Sequence, residues 1–143
     1  NYPFSAPNQV DRIIYLYDTT PVNTISGATL HQSATTHWYD SITLPVGKYM
    51  IMCQTNVAFS QSDYLVFALK TSNNFDYSPK AKIGDNATAY SGGVVSTINY
   101  HLNLTSSRRL YLKVDQTGGG VNSTASAHNG YIDAFSYIIV VKV

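Results

Sequence analysis

The 143-residue sequence predicts an all-β sandwich or jelly roll of eight to ten antiparallel strands, and three observations carry that prediction. All eight acidic residues are Asp and none is Glu, while Val, Ile, Thr and Tyr fill the apolar segments, so strand formers dominate over helix formers. Short apolar segments follow one another with turn residues between them, and no segment repeats its apolar residues at helical spacing. Two segments, Val10 to Asp18 and Tyr131 to Val143, are apolar on both faces of the pleat and therefore need cover on both.

The elements follow in order. Asn1-Tyr-Pro-Phe-Ser-Ala-Pro7 lacks an initiator Met, a basic stretch and an apolar leader core, so residues 1–143 read as one excised or processed domain. Val10 to Asp18 alternates Ile13, Tyr15 and Tyr17 with Ile14 and Leu16. His37 to Leu44 is a shorter strand, and Pro45-Val-Gly47 turns it into Lys48 to Phe59. In that strand Cys53 alternates with Tyr49, Ile51, Thr55 and Val57, which predicts a buried small hydrophobe; as the single Cys it forms no intrachain disulfide. Gln61-Ser-Asp63 leads into Tyr64 to Thr71, with Leu65, Phe67 and Leu69 on one side, and this pair reads as a hairpin.

A polar loop, Ser72 to Pro79, precedes a short strand around Ala81 to Ile83 and a longer stretch from Thr88 to Leu104 broken at Ser91-Gly-Gly93. Arg108 to Gln116 alternates Leu110, Leu112 and Val114 with Arg109, Tyr111, Lys113 and Asp115, predicting one core face and one wet face. Thr117 to Asn129, with three consecutive Gly, reads as a flexible loop. In the terminal strand Phe135, Tyr137, Ile139, Val141 and Val143 share one side, and Ala134, Ile138 and Val140 share the other. A second layer of the same domain covers one side; another copy of the chain covers the other. Leaving three such side chains wet would forfeit roughly 5–9 kcal/mol, comparable with a small domain's whole stability. First and last strands lying side by side in one sheet would gather Ile13, Tyr15, Tyr17, Tyr137, Ile139 and Val141 into a single subunit interface.

Composition excludes several functions. A formal charge of +1, with only Arg108 and Arg109 adjacent among nine basic residues, leaves no footprint for nucleic acid, and no apolar run approaches a membrane span. His31, His37, His101 and His128 stand in no catalytic or metal-ligand spacing, and neither a nucleophile elbow nor a zinc motif occurs. The expectation is therefore no catalytic residue, no metal and no cofactor. Calcium on Asp76, Asp85 and Asp115, read as loop carboxylates, is the alternative. Sequons occur at Asn86, Asn103 and Asn122.

The positive signal lies in two loops. Asn73, Asn74, Phe75, Asp76 and Tyr77 join amides and a carboxylate to aromatic faces, and Asn122, His128, Asn129 and Tyr131 repeat the mixture. Flat rings stack on sugars while Asn, Asp and His bond their hydroxyls, so both loops are candidate ligand sites.

Leu44-Pro-Val-Gly-Lys-Tyr49 resembles the Pro-x-Gly-x-Tyr turn of the C1q and tumour necrosis factor superfamily. Ala89-Tyr-Ser-Gly-Gly-Val-Val95, Arg109-Leu-Tyr-Leu-Lys-Val-Asp115 and Ala134-Phe-Ser-Tyr-Ile-Ile-Val140 resemble its later strands, in the same order over residues 37–143. Tyr137 stands where that family has a small residue, and the chain continues three residues past the usual apolar stretch. The low charge and the wealth of Asn, Thr and Tyr also resemble trimeric tips of phage tail fibres and bacterial adhesins. The resemblance implies a ten-stranded jelly roll, a homotrimer, and a non-enzymatic extracellular or virion-surface head, residues 1–143 being the C-terminal part of a longer fibrous protein, that binds a host glycan or protein. A trimerising cap or capsid-decorating knob, or a soluble receptor ligand, are the other roles it implies.

Overall fold

In the computed structural model, residues 4–5, 13–14, 23–34, 39–59, 62–89, 94–117, 124–126 and 137–143 are described. They contain ten strands: β1 (Phe4–Ser5), β2 (Thr29–Gln32), β3 (Tyr39–Leu44), β4 (Gly47–Phe59), β5 (Ser62–Lys70), β6 (Ala81–Ala89), β7 (Val94–Leu104), β8 (Arg108–Thr117), β9 (Thr124–Ser126) and β10 (Tyr137–Lys142). No helix occurs among them, and every ladder is antiparallel.

The strands form two sheets. Strand β4 organises the first: β7 pairs with it from Gly47 to Val57, β10 pairs with Tyr49 to Gln54, and β9 joins Ala58 and Phe59 to β1. The second sheet has the order β2-β3-β8-β5-β6. Alternation places Tyr49, Ile51 and Cys53 of β4 and Ile98, Leu102 and Leu104 of β7 on the inner side of the first sheet, all buried. Ile42 and Leu44 of β3, Phe67 and Leu69 of β5, and Leu110, Leu112 and Val114 of β8 meet them from the second sheet, forming a sandwich-like core. Ile138 and Val140 of β10 pack against it.

The Pro45-Val-Gly47 turn is locked by this packing. The hydroxyl of fully buried Tyr49 donates to the Pro45 carbonyl at 2.8 Å, which satisfies a polar group that burial would otherwise penalise. A Cβ at Gly47 would sit 3.1 Å from that hydroxyl, so any other residue would crowd the bond. Entry into β2 uses another turn: Asn23 Oδ1 accepts from the Ile25 amide at 3.2 Å, its Nδ2 donates to the Ala28 carbonyl, and Gly27 takes the left-handed φ of 79°.

Five expectations are corrected. Strands β4 and β5 are not a hairpin, since β5 pairs with β6 and β8 in the other sheet. Their apolar faces oppose each other across the core, which two strands of one sheet could not do. The short strand expected at Ala81 to Ile83 runs on to Ala89, because β5 supplies a backbone ladder as far as Ser62. The loop expected from Thr117 to Asn129 holds β9, formed by backbone pairing without an apolar signature. The described part of the first apolar segment lies not beside β10 but on β8: Ile13 bridges Lys113, and the Ile14 amide donates to the Leu112 carbonyl at 2.8 Å. The outer face of β8 is wet only at its start, where the Arg109 side chain is 42% exposed; further on, Lys113 is only 6% exposed and the Asp115 side chain 13%.

Candidate functional site

Two surfaces stand out, and the alternation of β10 creates the first. With Ile138 and Val140 turned inward, Tyr137, Ile139 and Val141 point outward and remain one-third to one-half exposed. The register sets Ile139 beside Met52 and Val141 beside Met50, both also exposed, so four aliphatic side chains form one stripe across β4 and β10. Tyr137 closes one end, its hydroxyl donating to Gln54 Oε1 at 3.0 Å. Three of the six expected interface residues thus sit on one open apolar face. Ile13 is half-buried against β8, and Tyr15 and Tyr17 lie outside the described residues.

The second surface is the loop between β5 and β6, which the chain braces throughout. Asn74 has the left-handed φ of 65°, tolerated by Asn, and the turn closes through Asn74 amide to Thr71 carbonyl and Thr71 amide to Phe75 carbonyl. Tyr77 amide donates to the Leu69 carbonyl, and Leu69 amide donates to Ser78 Oγ. Lys113 Nζ reaches up from β8 to the Ser72 carbonyl at 3.2 Å and Asn74 Oδ1 at 2.8 Å. Arg108 Nε donates to the Tyr77 hydroxyl at 2.9 Å, and Phe75 meets Tyr77 edge to face with centroids 5.4 Å apart.

Charge fastens the same loop. Lys70, whose side chain is 6% exposed, pairs with Asp115 and, at 3.3 Å, with Asp76; Lys80 pairs with the same two carboxylates at 2.8 and 3.4 Å. Burial pushes the Asp115 carboxyl up, but hydrogen bonds and charge from Lys70 and Lys80 outweigh it and hold the group below the usual range. Burial likewise opposes the Lys70 ammonium, and its two carboxylates leave it above its ordinary value.

Of the five residues expected to bind ligand here, Asn74 and Asp76 therefore do structural work. Phe75, 66% exposed, and Asn73 face outward from a fixed frame, while Tyr77 is half-buried and packs against the core. The second candidate set, Asn122, His128, Asn129 and Tyr131, lies outside the described residues. What sequence reading missed is the opposite wall. Asp76, Tyr77, Ser78 and Pro79 face Tyr100 to Asn103 of β7 across a groove of about 410 Å³. Tyr100 is in register with buried Ile51, an inward position, yet it is 37% exposed. A bulky ring interrupting the buried alternation of Ile98, Leu102 and Leu104 was the signal.

Other polar clusters are internally satisfied. Ser41 Oγ donates to Asp40 and accepts from Arg109 Nε at 2.7 Å, while His31 Nε2 lies 2.7 Å from Thr43 Oγ1. Burial and the Arg109 charge hold His31 below its ordinary pKa against the pull of Asp40. Tyr111 lies between Arg109 and Lys113, each about 5 Å from its ring. Of the three carboxylates named for the calcium alternative, Asp76 and Asp115 face lysine ammoniums and Asp85 lies within β6 rather than in a loop. No three His, Cys or carboxylate residues converge as a metal cage among the described residues, and no described helix is long and apolar enough to cross a membrane. No protein-family model matches the chain, and no curated protein is significantly similar to it.

Proposed function

We propose that the chain is a non-enzymatic, homotrimeric recognition head of C1q/TNF-like jelly-roll topology, carried at the tip of a phage or bacterial surface fibre and binding a host glycan or protein. The observation that carries this reading is the open apolar face of β4 and β10. Covering Met50, Met52, Ile139 and Val141, each about half exposed, returns roughly 3–6 kcal/mol per subunit at the usual value of side-chain burial. In a three-fold assembly this face meets a different surface of the next subunit, and the ring closes. The strand orders β2-β3-β8-β5-β6 and β10-β4-β7, with the chain crossing between sheets from β3 to β4, β4 to β5, β6 to β7 and β7 to β8, support the jelly roll. The self-satisfied Ser41, Asp40 and His31 cluster supports a binding rather than a catalytic role. The rigid loop from Thr71 to Lys80, with Phe75 exposed on it, favours recognition over a bare trimerising cap, and three copies gain avidity on a repetitive surface.

Light scattering during size exclusion is expected to give about three times the 15.7 kDa chain mass, and Ile139→Asp to give monomer or aggregate. A wild-type monomer at micromolar concentration refutes the trimer. A glycan array and an adsorption assay on bacterial or host cells test recognition, and a trimer that adsorbs to nothing is the cap instead.

A further inference from the structure

Resting on that recognition reading, we propose that the groove between the loop at Asp76–Pro79 and the edge of β7 holds a pyranose unit of the glycan. Its volume of about 410 Å³ falls in the range of small-molecule sites. Each wall carries one tyrosine, Tyr77 from the loop and Tyr100 from β7. Tyr77 is held at its hydroxyl by Arg108 and at its ring by Phe75, so it reaches a ligand already oriented. Little side-chain ordering remains to oppose binding. Tyr100 occupies a core register yet stays open to the groove, which a residue chosen only for packing would not do.

The groove is also lined by His101 and Asn103, which alternation sets on the other face of β7 from Tyr100, beside Met50 and Lys48. His101 and Asn103 make no side-chain hydrogen bond among the described residues, so both retain donor and acceptor capacity. The Asp76 carboxylate, although paired with Lys70 and Lys80, has four acceptor positions to share.

The test uses the whole chain expressed in bacteria, so that the sequon at Asn103 is unmodified. Probes are a glycan array of neutral and acidic sugars and saturation-transfer NMR with methyl glycosides of glucose, galactose, mannose and N-acetylglucosamine. Wild type is expected to show binding to at least one of these sugars. Tyr100→Ala and Asn103→Ala are expected to weaken it roughly three- to tenfold, the span set by aromatic packing and single hydrogen-bond energies. Tyr100→Phe, which keeps the ring and guards against misfolding of the alanine variant, should retain most of the affinity, and Asn99→Ala should match wild type. Undiminished glycan binding by both alanine variants overturns the groove while leaving recognition standing. Wild type that binds no glycan but adsorbs to cells through a protease-sensitive receptor overturns the sugar and keeps the head. If Tyr100→Ala converts trimer to monomer, the groove is a subunit contact and the proposal falls.

Discussion

Replacing Asp115 by Asn should destabilise the chain by about 2–4 kcal/mol. Breaking a buried ion pair by removing one partner costs about 3–5 kcal/mol, because the remaining charge is left without its counterion. Here Lys70 is that remaining charge, 6% exposed, and Asp115 is 13% exposed, so solvent screens the pair weakly. Asp76 stays 3.3 Å from Lys70 and, at 38% exposed, recovers part of the loss, which lowers the expected range. The assay is urea unfolding at one fixed protein concentration, since assembly would make stability depend on concentration. The pH profile supplies a second readout. The Asp115 carboxyl is depressed, so its contribution is complete above the ordinary carboxylate value of about 3.9 and disappears as pH falls through the lower folded value. The Lys70 ammonium is raised, so its contribution is complete below the ordinary lysine value of about 10.4 and disappears as pH rises through the higher folded value. Wild type should therefore hold a stability plateau between those ordinary values, and Asp115→Asn should lose less than wild type on acidification. A double change, Lys70→Met with Asp115→Leu, should recover most of the loss, because it leaves no charge stranded. A loss below about 1 kcal/mol for Asp115→Asn, with an unchanged acid limb, would show that the pair behaves as an ordinary surface salt bridge and refute the reasoning.

Burial pushes the Cys53 thiol up to about 12, so iodoacetamide at pH 8 should label the native chain negligibly and the urea-unfolded chain fully; rapid native labelling would mean that β4 opens locally. Because Asp76 and Asp115 already face lysine ammoniums, a chelator should leave the melting temperature unchanged. A fall of several degrees reversed by calcium would show an ion competing successfully with Lys70 and Lys80.

Much of the sandwich was legible because strand alternation is a local code. Leu110, Leu112 and Val114 against Arg109, Tyr111 and Lys113 announced which face of β8 enters the core, and Cys53 announced its burial from Tyr49 and Ile51 beside it. The doubly apolar last strand announced that one face would be left for something else, and Ile139 and Val141 are open. The partner of each strand was not legible. Strands β4 and β5 look like a hairpin because only a few residues separate them, but pairing is decided by which apolar faces must oppose each other over the whole molecule. Backbone-only pairing hid β9, whose Thr, Ala and Ser carry no pattern. The candidate loop was legible in composition, since Phe75 and Tyr77 among amides are visible in sequence. Its rigidity was not, because Lys113 and Arg108 arrive from residues more than thirty positions away and meet the loop only after β8 pairs with β5. The groove depends on the same kind of juxtaposition. Tyr100 and Asn103 belong to one sheet and Tyr77 to the loop that leaves the other, and only the packing of the two sheets brings them to a common opening.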